Sequence, residues 1–471
     1  MGIVMVSQTF AQAQAPATQL AAAPATAAAR PARVLTKEQQ QAQQALQNAT
    51  SVDYEDMLGK LKIVQPLRQG PSGATANYDE LTANPYPTLP DPLVFNDGRK
   101  VKTASDWTKR RVEIQEDFDR EVYGRAPRKT PKVTWVIDSA VNEKIGGIAV
   151  NTKYLTGKVD NSSYPDVSVN IKFSLSVPAN ASKAVPVIIQ YGNVSSRGFG
   201  FGPPPAAGAA RANVATRPKS WKEQVIEKGW ACATLDPNSI QADNGAGLTQ
   251  GIIGLVNKGQ FRNPDDWGSL RAIAWGADRA IDYLETNPAV NAKQVAIEGH
   301  SRWGKAALVT MAYDPRMAAA YVSSSGEGGA KLNRRNTGEL VENVAKPNEY
   351  HWMAGNFIKY AGPLNWSDLP VDQHELIALC APRPVFISGG TSGIAGRDGG
   401  DAWVDAPGMF MAADAAGPVY TLLGKQAIGV HTFPKMETLL DGDVAFRQHS
   451  SGHTDGPNWS YFLAFADKYF K

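Results

Sequence analysis

Short apolar runs separated by turn residues alternate along most of this chain with segments of helical periodicity. Between residues 133 and 191, four β-branched runs predict a strand meander that enters a sheet. Beyond residue 230, predicted strands and helices alternate, which is typical of a mostly parallel sheet with helices on both faces. We therefore predict an α/β fold. The elements predicted in this second region are strands at 230–235, 295–298, 319–323, 384–388 and 444–449 and helices at 266–287, 305–313, 370–379 and 459–470.

The N-terminal hundred residues have a different pattern. Residues 1–35 are rich in Ala, Pro and Gln and contain an A-x-A-like site at 11–13, which is typical of the end of a secretory signal followed by a disordered linker. Residues 36–100 are predicted as an N-terminal extension that begins with a helix at 36–58. The main domain is predicted over residues 101–471, and its first helix over 106–123. We expect a periplasmic or secreted protein.

Composition and charge exclude several classes of protein. The 48 basic residues nearly balance the 45 acidic ones, and the net charge of +3 leaves no footprint for nucleic acid. No stretch reaches the roughly 18 apolar residues that cross a membrane. Cys232 and Cys380 are far apart, which excludes a disulfide scaffold or a cysteine metal site and favours two buried free thiols. A monomer without nucleic-acid or membrane partners is expected.

The sharpest motif is a glycine-rich turn between a predicted strand and a predicted helix, VAIEGHSRWGKAALV at 295–309. Its spacing nearly matches a phosphate-binding loop, but Ala306 stands where such a loop needs a Ser or Thr to bind magnesium. The other interpretation is a nucleophile elbow, in which a serine is exposed above the sheet and the next N–H faces an oxyanion. Gly299 and Ser301 fit the elbow, so we predict Ser301 as a nucleophile.

A serine nucleophile needs a base, and the chain offers six histidines. In the α/β-hydrolase fold the order along the chain is serine, acid and histidine, with the histidine after the last strand. His453 lies in a glycine-containing loop between the last predicted strand and the last predicted helix, whereas His449 falls at the end of that strand. We therefore predict His453 as the base.

These residues resemble the glucuronoyl esterases of carbohydrate esterase family fifteen, whose elbow reads G-[CH]-S-R-x-G-K and matches residues 299–305 throughout. The resemblance continues through SGEGGAKL at 325–332, LPVDQHE at 369–375 and SGH at 451–453, covers about residues 100–471 and is closest to bacterial, marine-type members. It implies an α/β-hydrolase fold and cleavage of esters between 4-O-methylglucuronic acid on xylan and lignin alcohols. No metal or other cofactor is implied.

The resemblance also implies roles for further side chains. Arg302 would face the oxyanion with its backbone N–H and its guanidinium, and a fixed cation there would stabilise the developing negative charge. Lys305 and Glu339 would hydrogen-bond the sugar hydroxyls, and Trp403 would cover the sugar ring. The plainer alternatives are a surface lysine, a solvated glutamate and a core tryptophan.

The acid of the triad is where this chain departs from the family pattern. Many members have a glutamate just after the strand that follows the elbow helix, and the matching position here is Ser324. A second carboxylate in the LPVDQHE string makes Asp372 the predicted acid, although an Asp there could also cap the following helix. Glu327 and Asp401 are the reserve candidates.

Two other functions remain open from the sequence. One is an acetyl xylan or other carboxylic ester hydrolase on the same scaffold, since a fold alone does not select a substrate. The cations Arg302 and Lys305 favour a uronate over an acetate. The second is a carbohydrate-binding protein with a vestigial site. The glycine-rich segments 197–207 and 388–400 are predicted to wall the cleft.

Overall fold

A mixed sheet of ten strands runs through the residues that this computed structural model describes, which are 36–194, 217–393 and 400–470. Its order is β1-β2-β3-β5-β4-β6-β7-β8-β10-β9 once the strands are numbered along the chain. The strands are β1 Val133–Ile145, β2 Ile148–Val159, β3 Asn170–Pro178, β4 Val185–Tyr191, β5 Ala231–Leu235, β6 Val290–His300, β7 Ala319–Ser323, β8 Val385–Gly389, β9 Leu439–Asp441 and β10 Val444–Gln448.

The central part of the sheet is parallel, from β5 through β4, β6, β7 and β8 to β10. The meander of β1, β2 and β3 joins β5 antiparallel, and β9 closes the other edge antiparallel to β10. This architecture confirms the predicted α/β-hydrolase fold. Because the carboxyl ends of β6, β7, β8 and β10 lie at one edge, the loops that follow them meet there.

Eleven α-helices accompany the sheet in the described residues, and every helix predicted from the sequence is among them. Five short helices, α3, α4, α7, α9 and α10, were not predicted. The helices are α1 Lys37–Lys60, α2 Ala104–Glu121, α3 Trp221–Glu227, α4 Gly251–Val256, α5 Ser269–Glu285, α6 Arg302–Tyr313, α7 Val341–Val344, α8 Gln373–Cys380, α9 Ala406–Ala415, α10 Gly417–Leu422 and α11 Trp459–Asp467.

Two apolar clusters cover the two faces of the sheet. Along β6, Val295 and Ile297 belong to the larger cluster and Ala296 to the smaller one, because successive strand residues point to opposite faces. The larger cluster packs α5, α6, α8 and α9, and the smaller one packs α3 and α11. The strands of the parallel region are therefore buried from both sides, which explains their continuous apolar sequences.

Residues 45–471 form one compact unit, and the described residues of the other unit, 36–44, belong to the first turns of α1. No helix of the described ranges is long and apolar enough to cross a membrane. Cys232 and Cys380 are free and buried, as predicted. The predicted cleft segment 197–207 and residues 394–399 of the second one lie outside the described residues.

Candidate active site

Ser301 lies at the turn from β6 to α6 with φ 59° and ψ −129°, a strained backbone conformation for a residue with a side chain. The turn is tight on both sides. A Cβ at Gly299 would meet the carbonyl oxygen of Trp303 at 2.0 Å, and one at Gly304 would meet that of Ser323 at 2.7 Å. Both glycines are thus required for the turn that exposes Ser301 at the N-terminus of α6, where backbone N–H groups lack intrahelical acceptors.

The imidazole of His453 is paired with Asp401, whose buried carboxylate lies 2.6 Å from Nδ1 through Oδ1. The same imidazole ring packs against that of His300, the residue before Ser301, with ring centroids 4.3 Å apart. Within the described residues, no hydrogen bond joins the Ser301 hydroxyl to His453. Catalytic hydrogen bonds are often long in unliganded sites and shorten when substrate binds.

The Asp401 carboxylate is fixed through its second oxygen. Oδ2 accepts hydrogen bonds from the Ser324 hydroxyl at 2.6 Å and from the Gly390 N–H at 2.7 Å. Burial alone would raise the pKa of Asp401, but the hydrogen bonds from His453, Ser324 and Gly390 outweigh it and hold the pKa below its ordinary value. The carboxylate therefore stays ionised beside His453.

Asp372 does not occupy the position predicted for it. Its carboxylate caps the N-terminus of α8 through the Gln373 N–H, accepts the Asn333 N–H at 2.7 Å and pairs with Arg334 at 3.1 Å. The prediction that Asp372 is the acid partner of His453 was therefore wrong, and the helix-capping interpretation was right. The physical reason is that the loop after β8, not the start of α8, folds back toward His453.

Glu327, the other reserve acid, is also engaged elsewhere. Its carboxylate pairs with Lys331 at 2.7 Å, and both side chains are fully buried. Asp401 is the reserve candidate that the structure brings to His453. Ser324, the position that matches the family's glutamate, supports this acid, because its hydroxyl donates a hydrogen bond to Asp401.

Two more histidines, His300 and His449, lie next to the site. Burial lowers the pKa of His300 to about 4, with help from the neighbouring His453, so its ring is neutral at ordinary pH. His449 was predicted to end the last strand; β10 ends one residue earlier, and His449 follows it as a buried side chain. Its Nδ1 accepts the Ser451 N–H at 3.2 Å, so Nε2 is the nitrogen that donates to the Thr454 carbonyl at 2.8 Å. These two hydrogen bonds of His449 connect both sides of the loop that carries His453.

Arg302, the first residue of α6, is half exposed and points its guanidinium at Asp243, with 2.5 Å between Nη1 and Oδ2. Asp243 also accepts hydrogen bonds from His351 Nε2 at 2.9 Å and from Trp352 Nε1 at 2.6 Å. Burial opposes ionisation of Asp243, but these donors hold its pKa well below the ordinary value. Arg302, the cation that was predicted to face the oxyanion, is thus held in place by Asp243, a carboxylate that was not predicted from the sequence.

Lys305 is buried, which excludes the surface-lysine interpretation. Its Nζ donates to the Ser325 carbonyl at 2.8 Å, to the Glu327 carbonyl at 2.6 Å and to Glu339 Oε2 at 2.8 Å. An ammonium group has three donors, and all three are used here. Lys305 therefore organises the loop after β7 and orients Glu339, and a sugar hydroxyl would have to share one of these bonds.

Glu339 and Trp403 lie side by side. Glu339 is buried rather than solvated, its Oε2 accepts the Glu327 N–H at 3.0 Å, and its own N–H donates to the Trp403 carbonyl at 2.8 Å. Trp403 is partly buried and packs against the larger apolar cluster. A Cβ at Gly338 would meet the Trp403 carbonyl at 2.3 Å, so the two backbones are in close contact.

Glu349 is a site residue that was not predicted. Its Oε2 is buried without a hydrogen-bond partner, and burial together with nearby Glu339 raises its pKa to about 7. The charges of Lys305 and Arg302 counteract that rise. No sequence motif marks Glu349, since its position depends on burial beside Lys305 and Glu339 rather than on its neighbours in the chain.

Comparison with known proteins gives a consistent result. Residues 161–424 match the family model described as glucuronyl esterase, fungi. A solved glucuronoyl esterase of carbohydrate esterase family 15 from Teredinibacter turnerae is 41% identical, with a TM-score of 0.80 over 89% of this chain and 99% of that chain. A promiscuous esterase of the same family from a marine bacterial metagenome is 30% identical, with a TM-score of 0.70 over 84% of this chain and 100% of that one. The 4-O-methyl-glucuronoyl methylesterase 1 of Wolfiporia cocos is 27% identical over 421 residues, which cover 84% of this chain and 89% of the relative.

Proposed function

The chain belongs to the glucuronoyl esterases of carbohydrate esterase family 15, and from that premise we propose how its site hydrolyses esters of 4-O-methylglucuronic acid. It is a carboxylic ester hydrolase. We propose Ser301 as the nucleophile, His453 as the base and Asp401 as the acid. The observation that carries the proposal is the 2.6 Å pair of the buried Asp401 with the solvent-accessible His453, beside the strained Ser301 turn.

In the first half-reaction, His453 would take the proton of the Ser301 hydroxyl while the oxygen attacks the ester carbonyl carbon. Asp401 would hold the imidazole in the correct tautomer and stabilise the imidazolium that forms. The tetrahedral oxyanion would be stabilised by the Arg302 N–H and guanidinium. When the C–O bond breaks, the alcohol would leave with the proton from His453, and an acyl-enzyme would remain on Ser301.

In the second half-reaction, a water molecule would give a proton to His453 and attack the acyl carbon. Collapse of the second oxyanion would return that proton to Ser301 and release the free uronic acid. We propose that Lys305, Glu339 and Trp403 bind the sugar, with Glu349 as a further carboxyl facing it. The polar groups of Lys305 and Glu339 support a hydroxylated sugar ring as the acyl part rather than a small acyl group such as acetate.

The natural substrate class that we propose is the ester between glucuronoxylan and a lignin alcohol. Such polymers lie outside the cytoplasm, so the proposed location is the periplasm or the medium. Hydrolysis of other carboxylic esters is a second candidate activity, which the promiscuous relative of 30% identity favours.

The test is hydrolysis of benzyl glucuronate and of an aryl acetate by the wild type and by Ser301→Ala, without added metal. We expect the wild type to hydrolyse the glucuronate and Ser301→Ala to lose activity by about 10⁴-fold or more while its melting temperature is kept. Wild-type activity on the acetate alone would overturn the substrate. Activity on neither ester would favour the vestigial-site alternative.

A further inference from the structure

A segment of the N-terminal extension runs along the loop that carries Glu339. We call residues 64–84 the strap and residues 334–346 the Glu339 loop. No role could be predicted for the extension from the sequence. In the structure the strap is anchored at Arg68, whose guanidinium donates to three backbone carbonyls at 2.6 to 2.8 Å. Those carbonyls belong to Tyr360, Gly362 and Leu364.

On the N-terminal side of Glu339, the loop is bonded to the strap through Asn77. The backbone N–H of Gly338 donates to the Asn77 carbonyl at 3.1 Å, and the Asn77 amide donates to the Asn336 carbonyl at 2.7 Å. The residue directly before Glu339 is thus fixed to the strap. Because Gly338 has φ 61°, this backbone cannot be reproduced by another residue without strain.

On the C-terminal side of Glu339, the connection runs through the Asn343 amide. Its Oδ1 accepts the N–H of Leu340, the residue after Glu339, at 3.0 Å. Its Nδ2 donates to the Pro71 carbonyl of the strap at 2.7 Å. Two strap carbonyls, those of Pro71 and Asn77, therefore bracket Glu339 from both sides.

A third connection runs to the turn that carries Trp403. Arg335 donates through Nη2 to Glu80 of the strap at 2.6 Å, through Nη1 to Asn84 at 2.8 Å and through Nε to Asp405 at 2.7 Å. Asp405 caps α9 and follows Trp403 by two residues. Arg335 is fully buried, so it joins the strap, the Glu339 loop and the Trp403 turn in one place.

We propose that the strap is a specificity element of this enzyme, which holds Glu339 and Trp403 in position for the uronic acid ring and takes no part in the ester chemistry. The inference rests on the proposed function. It also rests on a separation between the residues proposed for ester chemistry and those proposed to bind the sugar. Ser301, Asp401 and His453 follow strands of the sheet, and their described hydrogen bonds do not involve the strap. Disturbing the strap should therefore change uronate binding alone.

Two glycines of the strap provide a matched pair of variants. A Cβ at Gly70 would lie 2.7 Å from the Asn343 backbone nitrogen and 2.5 Å from its Oδ1, so Gly70→Ala must push the strap away from the Glu339 loop. A Cβ at Gly73 would meet only Trp403 Cε3 at 3.9 Å, an ordinary van der Waals distance. Gly73→Ala is the control, because it makes the same chemical change three residues away.

For Gly70→Ala we expect KM for benzyl glucuronate to rise about tenfold with kcat nearly unchanged, because uniform binding is lost. KM and kcat for the aryl acetate should not change. Gly73→Ala should match the wild type on both esters. Equal losses on both esters, or an unchanged KM for the glucuronate in Gly70→Ala, would overturn the inference.

A second variant keeps the test decisive if Gly70→Ala does not fold. Glu80→Gln leaves the exposed end of the strap neutral opposite Arg335 and should raise KM for the glucuronate about twofold to threefold, again without an effect on the acetate. An effect of Glu80→Gln on kcat for both esters would contradict the inference. Failure of the wild type itself to hydrolyse the glucuronate is a different result, since it removes the proposed function.

Discussion

At the scale of single residues, the site is defined by how each ionised group is paired. Asp401, Asp243 and Glu339 are each bound by several donors, and each directs one functional side chain: His453, Arg302 and Lys305 respectively. Buried carboxylates with several donors are rigid and stay charged, because the hydrogen bonds compensate for lost hydration. The positions of the groups proposed for catalysis and substrate binding are thereby fixed before substrate binds.

The first prediction concerns Asp401. Asp401→Asn should lower kcat for benzyl glucuronate by about 10⁴-fold, because an amide no longer orients and stabilises the imidazolium of His453. Ser324→Ala, which removes one donor to the carboxylate, should cost about tenfold at most. Steady-state kinetics on both variants are sufficient. Near-normal turnover by Asp401→Asn would contradict the assignment of the acid.

The second prediction concerns Asp243. Asp243→Asn should lower kcat about tenfold for both the glucuronate and the aryl acetate, because Arg302 loses its ionic partner and both reactions develop the same oxyanion. Asp414→Asn is the control, since Asp414 pairs with the exposed His431. An effect on the glucuronate alone would mean that Arg302 binds the sugar rather than the oxyanion.

At the scale of elements, the sequence predicted those helices and strands whose formation depends mainly on their own residues. The elbow was predictable because a strand, a glycine turn and a helix lie next to each other in the chain. Strand β1 begins with the first of the predicted β-branched runs, but after a register shift between Ile137 and Ser139 it continues to Ile145 as a largely exposed partner of β2. Pairing with a neighbouring strand, which local pattern does not encode, overrides the polar sequence there.

Helix α9 shows a signal that could have been used. Its sequence contains Gly and Pro and resembles a loop, yet Asp405 caps it and the proline lies in its first turn, where the missing N–H costs nothing. The choice between Asp401 and Asp372 had no such local signal. It depends on which loop returns to His453 across the edge of the sheet.

The third prediction belongs to α8. Asp372→Ala should lower the free energy of unfolding by about 3–5 kcal/mol, because it removes the cap and leaves Arg334 buried without its partner. Activity of the folded fraction should be unchanged. Urea unfolding and kinetics on the same samples test this. Loss of turnover with normal stability would restore Asp372 as a catalytic candidate.

At the scale of the whole molecule, carboxyls kept protonated by burial set the dependence of stability on pH. Burial and the neighbouring Asp314 raise the pKa of Asp278 to about 8, and burial raises that of Asp119 to about 6. In the unfolded chain both groups would ionise near pH 4. Between those values the folded state holds more protons on these two groups, so their contribution to stability falls as pH rises.

The fourth prediction is therefore that Asp278→Asn changes the pH dependence of stability. Between pH 5.5 and pH 8 the variant should lose about 2 kcal/mol less stability than the wild type, because it lacks the carboxyl that must ionise. Buried histidines with a lowered pKa, such as His300, act in the opposite direction, so the comparison with the wild type isolates the contribution of Asp278. Denaturant unfolding of both proteins at the two pH values measures it. An equal change of stability in the two proteins would exclude Asp278 as a source.

In this proposal the sheet carries the groups for ester chemistry and the strap positions those that bind the sugar, which has a consequence for how such an enzyme evolves. The groups proposed for chemistry follow β6, β8 and β10, so they are inherited with the fold. The proposed contact of Glu339 with the uronic acid ring is instead held by the strap, a segment more than 250 residues away in the chain. Drift, insertion or replacement in that leading segment could alter which acyl group is accepted without disturbing the hydrolytic centre. Descendants of one ancestral esterase could thus come to accept different acyl groups through changes in their N-terminal extensions.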